Sequence, residues 1–163
     1  MSSRTRSEQG FALVEMLIAI VVINIGLLAI LLALTSGAAA LRRAADTSTA
    51  SAVADKQLER YRALAFASIY LDTTSLAATD STYRSDSAYS ASQVNQTCSP
   101  LTAACTPSQT VTGPDGLSYR VDTYIVSVTP SGGTAVKQVT VVVRRSGTTA
   151  TLARVVSTAG LDF

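Results

Sequence analysis

From Met16 to Leu34 the chain carries 19 residues without a charge, and only Asn24 and Gly26 interrupt their apolar character. A run of that length spans a hydrocarbon core as one helix, the form that satisfies its own backbone there. The helical pattern continues beyond it. Between Ala38 and Ala67 there is no Pro or Gly, and good helix formers dominate. Ala50, Ala54, Leu58, Tyr61 and Ala65 recur at helical spacing as one apolar stripe. Arg43, Asp46, Asp55, Lys56, Glu59 and Arg62 fall on the other side, as a solvated charged face. From Tyr70 to Thr112 the period disappears into a Ser- and Thr-rich stretch. It reads as a long loop, with a short helix or edge strand around Tyr83 to Val94.

Alternation of period two begins after the turn residues Gly113 to Gly116. Leu117, Tyr119 and Val121 alternate with polar residues, and the phase then shifts to Tyr124, Val126 and Val128. That shift predicts a bulge near Thr123. Val139, Val141 and Val143 form a second strand, Ser146-Gly147 a hairpin, and Thr149 to Ser157 a third strand. The expected fold class is α+β: a long N-terminal α-helix whose second half packs its apolar stripe on a small antiparallel sheet.

Charge and composition narrow the function. Arg4 and Arg6, the only basic residues before the apolar run, favour the cytoplasmic side, so the rest of the chain is expected to be exported. The net charge of +2 is too small to argue for nucleic acid as a partner. There is no His, no recognisable nucleophile motif and no paired carboxylates in a catalytic setting, which argues against an enzyme. No cofactor is implied. Two cysteines in an exported segment permit one disulfide, Cys98 to Cys105, favoured here over free thiols. Two thiolates without His leave a metal site short of ligands. Arg144, Arg145 and Arg154 converge on one hairpin end. They are read as edge-strand charges that oppose aggregation, ahead of a DNA- or surface-binding patch. Asn95-Gln96-Thr97 is a glycosylation sequon of the kind that arises by chance.

Glu15 stands out at the start of the apolar segment. A carboxylate in a membrane helix costs roughly 2.5–3.5 kcal/mol at the centre and less near the interface. Such a residue asks for a partner. The polar head, Gly10, Phe11, Glu15 and the apolar helix together resemble the class III signal of type IV prepilins and type II secretion pseudopilins. The resemblance implies cleavage between Gly10 and Phe11 by a prepilin peptidase and methylation of the new Phe11 amine. It also implies pairing of Glu15 with the amine of a neighbouring subunit during assembly. The partners it implies are other pilin or pseudopilin subunits, an inner-membrane assembly platform and the lipid bilayer.

Two positions depart from the pattern: Ala12 replaces a frequent threonine, and Leu32 stands where many major pilins have a helix-bending proline. The segment Asn24-Ile25-Gly26-Leu27-Leu28 resembles the PilV-type minor pilins. Gly26 and the Thr35-Ser36-Gly37 step weaken the helix. They suit either local melting on filament entry or close helix–helix packing. The expected organisation is a leader at 1–10, an assembly helix at 11–34 and its amphipathic continuation at 35–69. An exported head follows at 70–163, with its loop at 70–112 and sheet at 117–157. The expected function is a minor type IV pilin, with a type II secretion pseudopilin, a major pilin and a non-assembling anchored adhesin or binding module as successive alternatives. A plain signal anchor shares the hydropathy but does not require Glu15. A secretory signal peptide has a shorter apolar region, ~7–15 residues.

Overall fold

The computed structural model describes residues 8–74 and 80–160, the first five of them by backbone alone. Two compact units divide it, residues 1–44 and 45–163. Helix α1, Glu8–Arg62, is continuous through Gly26 and through Thr35-Ser36-Gly37. A single 3-10 turn, Phe66–Ser68, and a short helix α2, Ser81–Arg84, follow. Strands β1 (Ser108–Thr112), β2 (Ser118–Val128), β3 (Val136–Arg145) and β4 (Thr151–Ala159) form one antiparallel sheet in the order β1-β2-β3-β4.

In the second unit the apolar stripe of α1 does what its spacing predicts. Ala50, Ala54, Leu58 and Tyr61 are buried against Tyr119, Val121, Ile125, Val139, Val141, Val143 and Ala153. The small alanines let the helix axis approach the sheet, while Leu58 and Tyr61 supply most of the apolar area there. The α+β expectation therefore holds. The stripe ends one turn early, however. The Ala63 N–H reaches the Glu59 carbonyl, the Leu64 N–H reaches Tyr61, and Ala65 is exposed while Leu64 packs on the core.

Two strand expectations need correction. The sheet has four strands, because Ser108–Thr112, read as loop, pairs with Ser118–Asp122 as β1. Its Ser-Gln-Thr-Val-Thr sequence has little apolar alternation, since an edge strand needs only one half-buried face. There is also no bulge at Thr123, where β2 and β3 stay in register from Tyr119↔Arg145 to Val128↔Val136. The phase shift arises because both faces of β2 are covered, so that Val121 to Ile125 are all buried. The register shift falls instead between Val143 and Arg144, opposite Ala153 and Thr151 of β4.

The cover on the second face is the segment from Asp80 to Val94. Tyr83 stacks on Tyr124 with ring centroids 4.4 Å apart, and Val142 completes the cluster. The Tyr83 hydroxyl lies 2.7 Å from the Thr123 carbonyl and 2.9 Å from Gln93 Oε1. Past the end of β1, the edge of β2 is taken up by Gln93 and by the Val94 N–H, which donates to Ile125.

Candidate functional site

The first unit presents a surface rather than a pocket. Between Leu13 and Leu34 every large apolar side chain of α1 is exposed, from Val21 at 49% to Leu32 at 70%. The helix is long and apolar enough to cross a membrane. Three of its polar side chains turn back on its own backbone. Asn24 Nδ2 donates to the Ile20 carbonyl at 2.8 Å, and the Thr35 and Ser36 hydroxyls donate to Leu32 and Ala33 at 3.0 Å. Such bonds lower the cost of holding hydroxyls and a carboxamide in lipid. Among the described residues, a Cβ at Gly26 or Gly37 would meet nothing within 4 Å.

Glu15 is exposed on this surface and is the only charged residue between Leu13 and Leu41. Among the described residues it has no partner, so any counter-charge must come from the N-terminal stretch or from another molecule. The predicted cleavage point at Gly10 and Phe11 contributes helix backbone, its side chains and most of the leader lying outside the described residues. Residues 5–36 match the family model of the prokaryotic N-terminal methylation motif. This is a type IV pilin-type signal. It marks a substrate of the prepilin peptidase type, and it points to a structural subunit, held by the apolar helix first in a membrane and then in a filament. The match is confined to residues 5–36, and no curated protein and no solved structure matches the chain significantly.

In the head, the arginines considered as a binding patch are engaged. Arg144 reaches Asp122 at 2.5 Å and also pairs with Asp86, and Arg154 lies 2.8 Å from Asp86. Arg145 faces Asp46 at 3.6 Å. Arg120 bridges Asp122 and Asp80, each at 2.8 Å. These Asp–Arg pairs hold the Asp80–Val94 cover on the sheet. Burial pushes the Asp86 carboxyl up, but the Ala88 N–H and the Arg154 and Arg144 guanidinium groups outweigh it and hold it below the usual carboxylate range. Asp80 is likewise held low, with Tyr83 N–H and Arg120 overcoming its desolvation. Sequence reading missed this cluster. Its one local signal was the Arg120-x-Asp122 spacing, which puts both side chains on one strand face.

Cys98 and Cys105 are joined in a disulfide, with Cα atoms 6.7 Å apart. Asp72 ties this loop to the head. Its carboxylate accepts from the Cys98 N–H at 3.0 Å, and its own N–H donates to the Cys105 carbonyl at 2.8 Å. On the other side of the loop, buried Gln57 of α1 donates to the Ala103 carbonyl at 3.2 Å and accepts from Gln109 at 2.9 Å. Leu101, at the tip, is 58% exposed. Asn95 of the sequon uses its carboxamide oxygen as an acceptor for the Thr73 N–H. Among the described residues, no group of three or more His, Cys, Asp or Glu is placed to hold a metal ion.

Proposed function

We propose that the chain is a minor type IV pilin. A peptidase removes the leader between Gly10 and Phe11, the Phe11 amine is methylated, and the subunit enters a pilus or pseudopilus through its apolar helix. In this reading it crosses the cytoplasmic membrane once, with the head exported. Its partners are the prepilin peptidase, other pilin or pseudopilin subunits, the inner-membrane assembly platform and the bilayer. The observation that carries the reading is Glu15, the only charged residue between Leu13 and Leu41 on the exposed apolar part of α1, inside a matched methylation motif.

The physical logic is mutual relief. A lone carboxylate in lipid is costly and is drawn towards the headgroups. The positive amine of an adjacent subunit's Phe11 offsets its desolvation, and exclusion of water strengthens the pair. Pairing therefore favours docking and sets the axial register of the incoming helix. Leu32 in place of a helix-bending proline favours a minor pilin over a major one. A type II secretion pseudopilin is the second reading, since it uses the same signal and the same helix.

Glu15→Ala separates the steps. Insertion and leader removal should persist while incorporation fails, measured by fractionating cells and scoring cleavage and filament content separately. Normal incorporation of the variant beside wild-type subunits would overturn the pairing role. Mass spectrometry of the N-terminal peptide should find Phe11 first and methylated. A mature start after Ala40 would make the chain an ordinary secreted protein instead.

A further inference from the structure

The exposed surface of α1 carries a second polar group, which pairing at Glu15 leaves unused. Asn24 is the only carboxamide between Phe11 and Arg42. One N–H of its amide is spent on the Ile20 carbonyl. The other N–H and the Oδ1 acceptor have no partner among the described residues, and the side chain is exposed. In water this would be unremarked, but inside a hydrocarbon layer no solvent completes the set. A partner must therefore offer both a donor and an acceptor at the depth of Asn24.

We propose that Asn24 is a self-association site, through which two copies of this chain pair in parallel in the membrane, Asn24 to Asn24. A carboxamide is self-complementary, and a second copy inserted in the same orientation presents its own Asn24 at the same depth. The surrounding residues fit the geometry. Leu17, Val21, Asn24, Leu28, Leu31 and Thr35 recur at spacings of four and three, the seam of a left-handed helix pair. All of them are exposed. One amide within such an aliphatic seam sets register and strand number. Glu15 lies nine residues before Asn24, about two and a half turns at 3.6 residues per turn, and so on the opposite side of the helix. A pair formed through Asn24 leaves Glu15 free to dock.

This inference rests on the membrane anchoring read above and not on filament entry. The test uses donor- and acceptor-labelled full chains in phosphatidylcholine–phosphatidylglycerol vesicles. Energy transfer is followed as the protein-to-lipid ratio is varied. Wild type should associate. Asn24→Leu should weaken association about 3- to 30-fold, the span of interhelical hydrogen bonds measured in membranes. Asn24→Gln, which keeps the carboxamide, should restore most of it, and Ala19→Leu, on the Glu15 side, should leave it unchanged. A wild-type chain that stays monomeric at every ratio would overturn the proposal. So would an Asn24→Leu chain that associates like wild type, or a loss at Ala19→Leu as large as that at Asn24→Leu. Filament content, scored separately in cells, tells failure of this pairing from failure of the pilin reading.

Discussion

Replacing Arg144 with Met tests whether the buried ion cluster holds the head together. The Arg144 side chain is 4% exposed and sits between Asp86 and Asp122, whose side chains are 3% and 0% exposed. Met keeps most of the aliphatic volume, so the loss is chiefly electrostatic. Asp122 keeps Arg120, and Asp86 keeps only the partly exposed Arg154. Breaking a buried pair by removing one partner costs about 3–5 kcal/mol, because the remaining charge stays buried. At roughly 3–5 °C per kcal/mol for a domain of this size, melting should fall by about 9–25 °C. Arg144→Lys should recover little, since two separate guanidinium nitrogens address the two carboxylates. Arg145→Met is the contrast. Its side chain is 44% exposed and 3.6 Å from Asp46, so the cost should be about 0–1 kcal/mol. The chain lacks Trp, so the assay is near-ultraviolet tyrosine circular dichroism of the full chain in detergent, with heat and guanidinium. An Arg144→Met loss under about 1 kcal/mol, or one no larger than that of Arg145→Met, would refute the clasp.

Four further outcomes are expected. Asp80 and Asp86 have folded pKa values below their unfolded ones. Their contribution is therefore complete above about pH 4 and is lost as pH falls further, and acid melts of Arg144→Met should show a shallower decline. Burial pushes Tyr61 up to about 12, and desolvation with the neighbouring Asp115 does the same for Tyr119. The stability they carry is present below about pH 10 and lost as pH rises through their folded values, so their tyrosinate absorbance should rise together with unfolding. A Cβ at Gly113 would stand 2.6 Å from Asp115 Oδ1 and 2.7 Å from the Tyr119 ring. Gly113→Ala should thus cost about 1–3 kcal/mol in a urea melt and disturb the 2.6 Å Tyr119–Asp115 bond. Replacing Cys98 and Cys105 with Ser should cost roughly 2–3 kcal/mol on loop entropy and loosen the 98–105 loop. Membrane insertion, assayed by carbonate extraction, should be unaffected.

Local periodicity settled much of this molecule. Charge-free length made residues 16–34 a membrane-competent helix, and the spacing of Ala50, Ala54, Leu58 and Tyr61 marked the face that meets the sheet. Alternation over Leu117 to Val121 and Val139 to Val143 located β2 and β3, and the Ser146-Gly147 hairpin signal placed a further strand after them, β4. Glu15 was legible for the opposite reason, as a charge where the pattern forbids one. What tertiary structure alone decided depends on groups far apart in the chain. Thr123 marks no bulge because residues 80–94 cover the second face of β2, and nothing near Thr123 encodes that cover. β1 exists because β2 offers it an edge. Asp86 and Arg144 are 58 residues apart, so no window of sequence shows that each is the other's counter-charge. Period tells which face of an element is apolar, whereas the partner of a buried charge is set only when the chain closes on itself.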